Sequence, residues 1–275
     1  MLSVAWAPDG VRLAVGGGED FRGYTNEDVG GAVVTHQVAA IVEAASGEVV
    51  REVPHGRSVW SLAWSPDGAL LALGGCKDFG SRDGKVSLVD AASGEVLREV
   101  LYDLMVRSVA WSPNGAQLAV GRGNEASGGY VQIFDATSGD ASVELKVTQQ
   151  REVACVAWSP DGSFVAEAGG DDTVDTEVKL IDAASGAVQL EILRNVEFTA
   201  TWSVAWSSDG SRLAVCGHPR AKELQVAIVD TREVTARGWL GGCQVTPQHR
   251  RICFQYKQAV LRRVLDTPPD GGGHT

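Results

Sequence analysis

Apolar residues along the first 236 positions fall in short runs whose order repeats. Each unit opens on the phrase VAWAPDG or a close variant, at Val4–Gly10, Leu62–Gly68, Val109–Gly115, Val156–Gly162 and Val204–Gly210. A second run begins three residues after the glycine, at Leu13–Val15, Leu71–Leu73, Leu118–Val120, Val165–Glu167 and Leu213–Val215. A third run alternates and closes on an acid, at Val38–Glu43, Val86–Asp90, Val131–Asp135, Val178–Asp182 and Val226–Asp230. A turn such as Ala91-Ala92-Ser93-Gly94-Glu95 then leads to a fourth run, at Val49–Val53, Val96–Leu101, Val143–Val147 and Val188–Leu193. Short runs rich in Val, Ile and Leu, bounded by turn residues, predict strands. No comparable stretch of these 236 positions keeps a 3.6-residue apolar period, so helices are not expected there; beyond them, Ile252–Leu265 is compatible with an amphipathic helix or irregular strands.

The turns explain why each unit folds back on itself. In Pro-Asp-Gly, proline presets φ, aspartate bonds its own backbone and glycine accepts a positive φ. Four short antiparallel strands form one small sheet, which cannot bury both faces alone. Copies must therefore stack, and radial stacking gives a β-propeller. The tryptophans of the phrase, Trp6, Trp64, Trp111, Trp158 and Trp206, are spaced by 58, 47, 47 and 48 residues, a blade-sized step. All five are expected on the innermost strand, packed between sheets. Trp60 and Trp202, four residues earlier in two units, share that face.

These phrases resemble the WD40-repeat family, in the order VAWSPDG, LAVGG, V-x-L-V-D, AASGEV. The resemblance covers residues 1–236 and extends to the anaphase-promoting complex subunit 4-like WD40 domain class. It implies an all-β propeller of WD40-like four-stranded blades, at about 1–54, 55–103, 104–150, 151–197 and 198–236. It also implies a scaffold that binds other proteins. The family's closing Trp-Asp departs from type: Asp90, Asp135, Asp182 and Asp230 keep the acid as structural turn residues, while the tryptophan is lost. His55 stands near the family's Gly-His position, but as Pro-His-Gly, so the family's Asp–His–Ser–Trp network is expected to be incomplete. Five recognisable blades are few for this family. A closed ring, an incomplete ring and a fragment of a longer array are all compatible with the repeats.

Composition narrows the function classes. The formal charge is −11, which disfavours nucleic-acid binding through phosphate contacts. No apolar run reaches membrane-spanning length. The charge is uneven: residues 237–275 carry six basic and two acidic residues, against eighteen and thirty-three before them. That basic segment abandons the repeat, and its Pro- and Gly-rich end is expected to be disordered. The cysteines, Cys76, Cys155, Cys216, Cys243 and Cys253, are odd in number and form no CxxC. They predict neither a disulfide framework nor a zinc site, and Cys155 and Cys216 read as buried, inert thiols. The N-terminus lacks a secretory pattern. The expected location is cytoplasmic, with the nucleus as the alternative.

Chemistry-bearing motifs are sparse. Gly121-Arg122-Gly123-Asn124-Glu125-Ala126 has the form GxGxxA, but a strand-like run follows where a dinucleotide fold needs a helix. The acids Asp171, Asp172, Asp175 and Glu177 lack the spacing of a calcium loop. No metal pair of histidines and no nucleophile elbow occurs, so no cofactor is expected. The links between second and third strands differ in every unit and share one face with the links between blades. Their candidate protein-binding residues are Phe21, Arg22, Tyr24, Lys77, Phe79, Arg82, Arg122, Tyr130, Asp172 and Arg220, because arginine and aromatic residues are favoured interface anchors. The alternative is a propeller enzyme with acids and bases around a central pocket.

Overall fold

In a computed structural model the described residues are 3–18, 38–77, 82–124, 126–148, 152–169, 177–192, 198–219 and 225–231. They form five antiparallel sheets. The first holds β1 (Ser3–Trp6), β2 (Arg12–Gly16), β3 (Val38–Glu43) and β4 (Val49–Pro54). The second holds β5 (Ser58–Trp64), β6 (Leu70–Cys76), β7 (Gly84–Asp90) and β8 (Val96–Tyr102). The third holds β9 (Val106–Trp111), β10 (Gln117–Asn124), β11 (Gly128–Asp135) and β12 (Ala141–Thr148). The fourth holds β13 (Val153–Trp158), β14 (Phe164–Gly169), β15 (Glu177–Asp182) and β16 (Val188–Ile192). The fifth holds β17 (Phe198–Trp206), β18 (Arg212–Pro219) and β19 (Gln225–Asp230), three strands among the described residues. Strands pair in sequence order within every sheet.

The sheets fan around an axis. The first strands β1, β5, β9, β13 and β17 pack successively on one another, and β2, β6, β10 and β14 each touch the first strand of the next sheet. Each interface has its own apolar core. Ala14, Ile41 and Val53 meet Val59, Leu71 and Leu73 between the first two sheets. Ala166, Val178 and Leu180 meet Val204, Leu213 and Val215 between the last two. No comparable packing joins β17 back to β1 among the described residues.

A hydrogen-bond ladder accompanies these cores. Each tryptophan from the second sheet onward donates its indole N–H to the carbonyl preceding the tryptophan of the sheet before. The pairs are Trp64 to Ala5 at 3.1 Å, Trp111 to Ala63 at 3.0 Å, Trp158 to Ala110 at 3.0 Å and Trp206 to Ala157 at 3.2 Å. Beside it, the amides of Leu62, Val109 and Val156 donate to the hydroxyls of Ser3, Ser61 and Ser108 at 3.3, 3.1 and 3.1 Å. In the last interface the Cys155 thiol takes the serine's place, accepting from the Val204 amide at 3.5 Å. A buried indole needs a polar partner, and the repeat supplies it from the neighbouring copy.

Trp64, Trp111, Trp158 and Trp206 are 7–8% exposed, as the sequence predicts, but Trp6 is 50% exposed. The expectation of core packing is corrected for Trp6 because, among the described residues, no sheet lies on that side of β1. The expectation of full burial is corrected for Cys216 as well. Cys76 and Cys155 are buried, whereas Cys216 is only half-buried on the outer flank of the fifth sheet.

The turns are built by their own side chains. Gly10, Gly68, Gly115, Gly162 and Gly210 sit at φ of 70, 71, 71, 73 and 70°, which favours glycine. Ser65, Ser159 and Ser207 donate their hydroxyls to Asp67, Asp161 and Asp209, holding those carboxyls below the usual carboxylate range. The retained acids at the ends of the third strands act likewise. Asp90, Asp135 and Asp182 accept the amides of Ser93, Ser138 and Ser185, and these bonds, with the serine hydroxyls, lower their pKa values. A carboxyl depressed in the fold contributes stability above its unfolded pKa and loses it as pH falls through the folded one. Thermal unfolding followed by circular dichroism is therefore expected to show a midpoint that falls steeply below about pH 4. Asn at Asp67 and Asp90 together reduces that slope.

Candidate functional site

The links between second and third strands emerge on the same face as the links between sheets. Lys77–Asp83 joins β6 to β7, and 125–127 joins β10 to β11. The first is closed by Arg57, whose guanidinium reaches Asp83 at 2.9 Å. The strands run further than the sequence suggests. Arg122 and Tyr130, expected in a loop, lie opposite each other in β10 and β11, and Arg122 is buried.

A buried guanidinium requires neutralisation, and the structure provides it. Arg122 pairs with Glu144 of β12 and with Asp103 at 3.4 Å. Its guanidinium carbon lies over two rings, 5.1 Å from the Tyr102 centroid and 4.8 Å from that of Tyr130. The Lys146 ammonium also lies over the Tyr130 ring, at 5.6 Å. Two cations and two aromatic rings thus gather at the boundary between the second and third sheets, an arrangement stabilised by the ring quadrupoles. Burial raises the Tyr102 phenol's pKa, Arg122 opposes that rise and Glu144 adds to it.

Around this stack opens a polar cavity of about 350 Å³ lined by Arg82, Asp103, Leu104, Arg122, Ser127, Tyr130 and Glu144. The structure therefore brings three sequence candidates, Arg82, Arg122 and Tyr130, to one cavity. Arg82 is exposed, Tyr130 half-buried, and Lys77 lies exposed at the edge of the same link. Phe21, Arg22, Tyr24, Phe79, Asp172 and Arg220 lie outside the described residues, as do the acidic segment 171–176 and residues 237–275. A larger space of about 430 Å³ opens over the turns of the fourth and fifth sheets, beside Ser159, Asp161 and Asp209. Its acids are already bonded within their own turns, so the Arg122 cavity is the better candidate site.

Sequence reading missed Tyr102, Asp103, Glu144 and Lys146. The available signal was Arg122 itself: a charge inside an apolar second strand must find carboxylate and ring partners nearby. GxGxxA proves to be strand and hairpin, with Gly121 facing Val153 and Val156 of the next sheet. Near the axis, Arg107 of β9 lies 4.7 Å over the Trp60 ring and pairs with Glu152.

One part of the expected blade network survives. His55 is buried, and its Nδ1 lies 3.1 Å from the Ser87 hydroxyl. Beside it Lys85 pairs with Glu99. Burial, with the positive charges of Lys85 and Arg57, lowers the His55 pKa to about 3, so the ring is a neutral core group.

Fold and ladder together define a β-propeller built from homologous blades. Two family models match the chain. One, the WD domain, G-beta repeat, covers residues 47–90; the other, Eukaryotic translation initiation factor eIF2A, covers residues 97–224. Together with the fold, these matches support a WD40-repeat β-propeller family. Neither matching model is the anaphase-promoting complex subunit 4-like class. A comparison with curated protein sequences finds no significant match. Among solved structures, Kuenenia stuttgartiensis Hydrazine Synthase is similar with a TM-score of 0.67 and 20% identity, covering 83% of this chain. The chain spans 62% of that protein's length. At this identity the likeness concerns the fold.

Proposed function

We propose that this propeller is a non-catalytic scaffold that binds other proteins through the face bearing the Arg122 cavity. One observation carries the reading: Arg82, Arg122, Tyr130, Asp103 and Glu144, drawn from two blades, converge on a single polar opening. Arg122 is held rigid by its rings and carboxylates, so little side-chain entropy is lost when a partner docks beside it. The exposed rim offers both signs of charge. Arg82 is exposed, and the side chains of Asp103 and Glu144 are 85% and 51% exposed. A partner segment with neighbouring acidic and basic residues fits that rim, while the Tyr130 ring supplies the apolar anchor. The WD40 match supports a protein-interaction role. A cytoplasmic or nuclear setting belongs to the same proposal.

The test is quantitative affinity capture with the full chain, followed by binding isotherms on each recovered partner. Arg82→Glu is expected to weaken a partner of this face by roughly tenfold, about 1.4 kcal/mol. Ser138→Glu, on a turn of the opposite face, leaves its affinity unchanged. Equal affinity in wild type and Arg82→Glu for every recovered partner would overturn the reading.

A further inference from the structure

We propose that the groove over the turns of the fourth and fifth blades is a second binding site, on the face opposite the Arg122 cavity, and that it takes an arginine side chain of a partner protein. The ligand chemistry is read from the chain itself, because the homologous place between the first two blades is filled by an arginine. Arg12, at the head of β2, lies 5.0 Å over the Trp64 ring of the next blade. Its Nε donates to Oδ2 of Asp9 at 2.8 Å, and a terminal nitrogen reaches the Gly68 carbonyl at 3.5 Å. One guanidinium thus joins a carboxylate, a turn carbonyl and an indole across a blade boundary.

Between the fourth and fifth blades the same positions recur without that cation. Asp161 stands for Asp9, Trp206 for Trp64 and Gly210 for Gly68, each at the same offset within its repeat. The frame is repeated too: the Pro160 ring packs on Gly210 as the Pro8 ring packs on Gly68. Phe164 takes the place of Arg12. The result is the opening of about 430 Å³, walled by Phe164, Leu180 and Trp206 and bordered by the exposed Asp161 and Asp209.

Both carboxylates are charged at neutral pH, since their serine bonds hold them below the usual range. The hydroxyls of Ser159 and Ser163 and the Ser163 amide bond Asp161 through Oδ1. Its Oδ2 is the counterpart of the oxygen that holds Arg12. The Gly210 carbonyl accepts the Thr231 hydroxyl at 2.8 Å, and a carbonyl has a second lone pair. Arg212 already acts on Asp209 through its charge, so Asp161 is the acid assigned to the ligand. Arginine suits this set better than lysine, because its planar fork can serve a carboxylate and a carbonyl while lying on a ring. The partner is one with exposed arginines, which the −11 charge of this chain attracts. The groove shares no lining residue with the Arg122 cavity, so either site can fail without the other.

The experiment is an NMR titration of the isotope-labelled full chain with Nα-acetyl-arginine amide and with its neutral isostere, Nα-acetyl-citrulline amide. The wild type is expected to show saturable shifts of the Gly210 amide and the Trp206 indole N–H, with half-saturation near about 1 mM. The citrulline compound binds at least about tenfold more weakly. Asp161→Asn keeps the Oδ1 acceptor of the turn and weakens the arginine compound by about tenfold. Phe164→Arg places the chain's own guanidinium in the groove, as Arg12 does between the first two blades, and removes the saturable response. No saturation in the wild type by about 50 mM, equal responses to arginine and citrulline, or an Asp161→Asn variant that binds like the wild type would each overturn the proposal. Shifts confined to Ser127 and Tyr130 overturn it too, by placing the cation on the other face.

Discussion

Trp111→Ala lowers the unfolding free energy by about 3–5 kcal/mol, whereas Trp6→Ala costs less than about 2 kcal/mol. The same residue type in the same repeat position gives different results because of what lies beside it. Trp111 is sealed between the second and third blades, and truncating it leaves a cavity and an orphaned Ala63 carbonyl. A buried carbonyl without a donor adds its own desolvation penalty to the lost packing. Trp6 faces an open flank, so its removal empties little enclosed space. Denaturant unfolding of both variants, followed by tryptophan fluorescence and circular dichroism, checks the pair. Equal losses would mean that the first blade is covered in solution, which association at high concentration would also produce; the measurement therefore belongs below 1 µM.

The second large effect is on pH dependence and centres on His55. Its pKa in the fold is about 3, against roughly 6.5 in an unfolded chain. A histidine depressed by folding contributes stability above the unfolded pKa and loses it as pH falls toward the folded one. Between pH 6.5 and 4.5 the loss is about 2 kcal/mol, or roughly 4–8 °C in the thermal midpoint for a domain of this size. This window lies above the one in which the turn carboxylates titrate, so the two can be separated. His55→Gln keeps a hydrogen-bonding group near Ser87 and removes the titration. Its thermal midpoint is expected to be flat from pH 6.5 to 4.5 and to fall, like the wild type, only below that. A wild-type midpoint that does not move across the upper window would refute the assignment.

The comparison of His55 with Arg122 shows where sequence reading succeeds and where it stops. His55 was recognisable from its place before the first strand of the second unit, but only the structure supplies its neighbours Ser87, Lys85 and Glu99. Arg122 was recognisable as a cation near a variable link. Its place in a strand was not legible, because the length of β10 and β11 depends on pairing between strands and not on local composition. Asp103 and Glu144 lie 19 and 22 residues from Arg122, and nothing in their local sequence marks them as its partners.

The amino-acid sequence by itself determined the blade: four strands, their turns, the faces of Trp64, Trp111, Trp158 and Trp206, and the acids that close the third strands. These follow from short-range chemistry, from alternation at period two, from proline, aspartate and glycine at fixed offsets, and from repetition that forces stacking. Tertiary structure alone decided that Trp6 is half exposed and Cys216 half-buried, that Arg122 is buried beside two tyrosines, and that the described blades form an arc. Those outcomes depend on which surfaces meet across blades, and near-identical repeat sequences acquire different environments when the surfaces beside them differ.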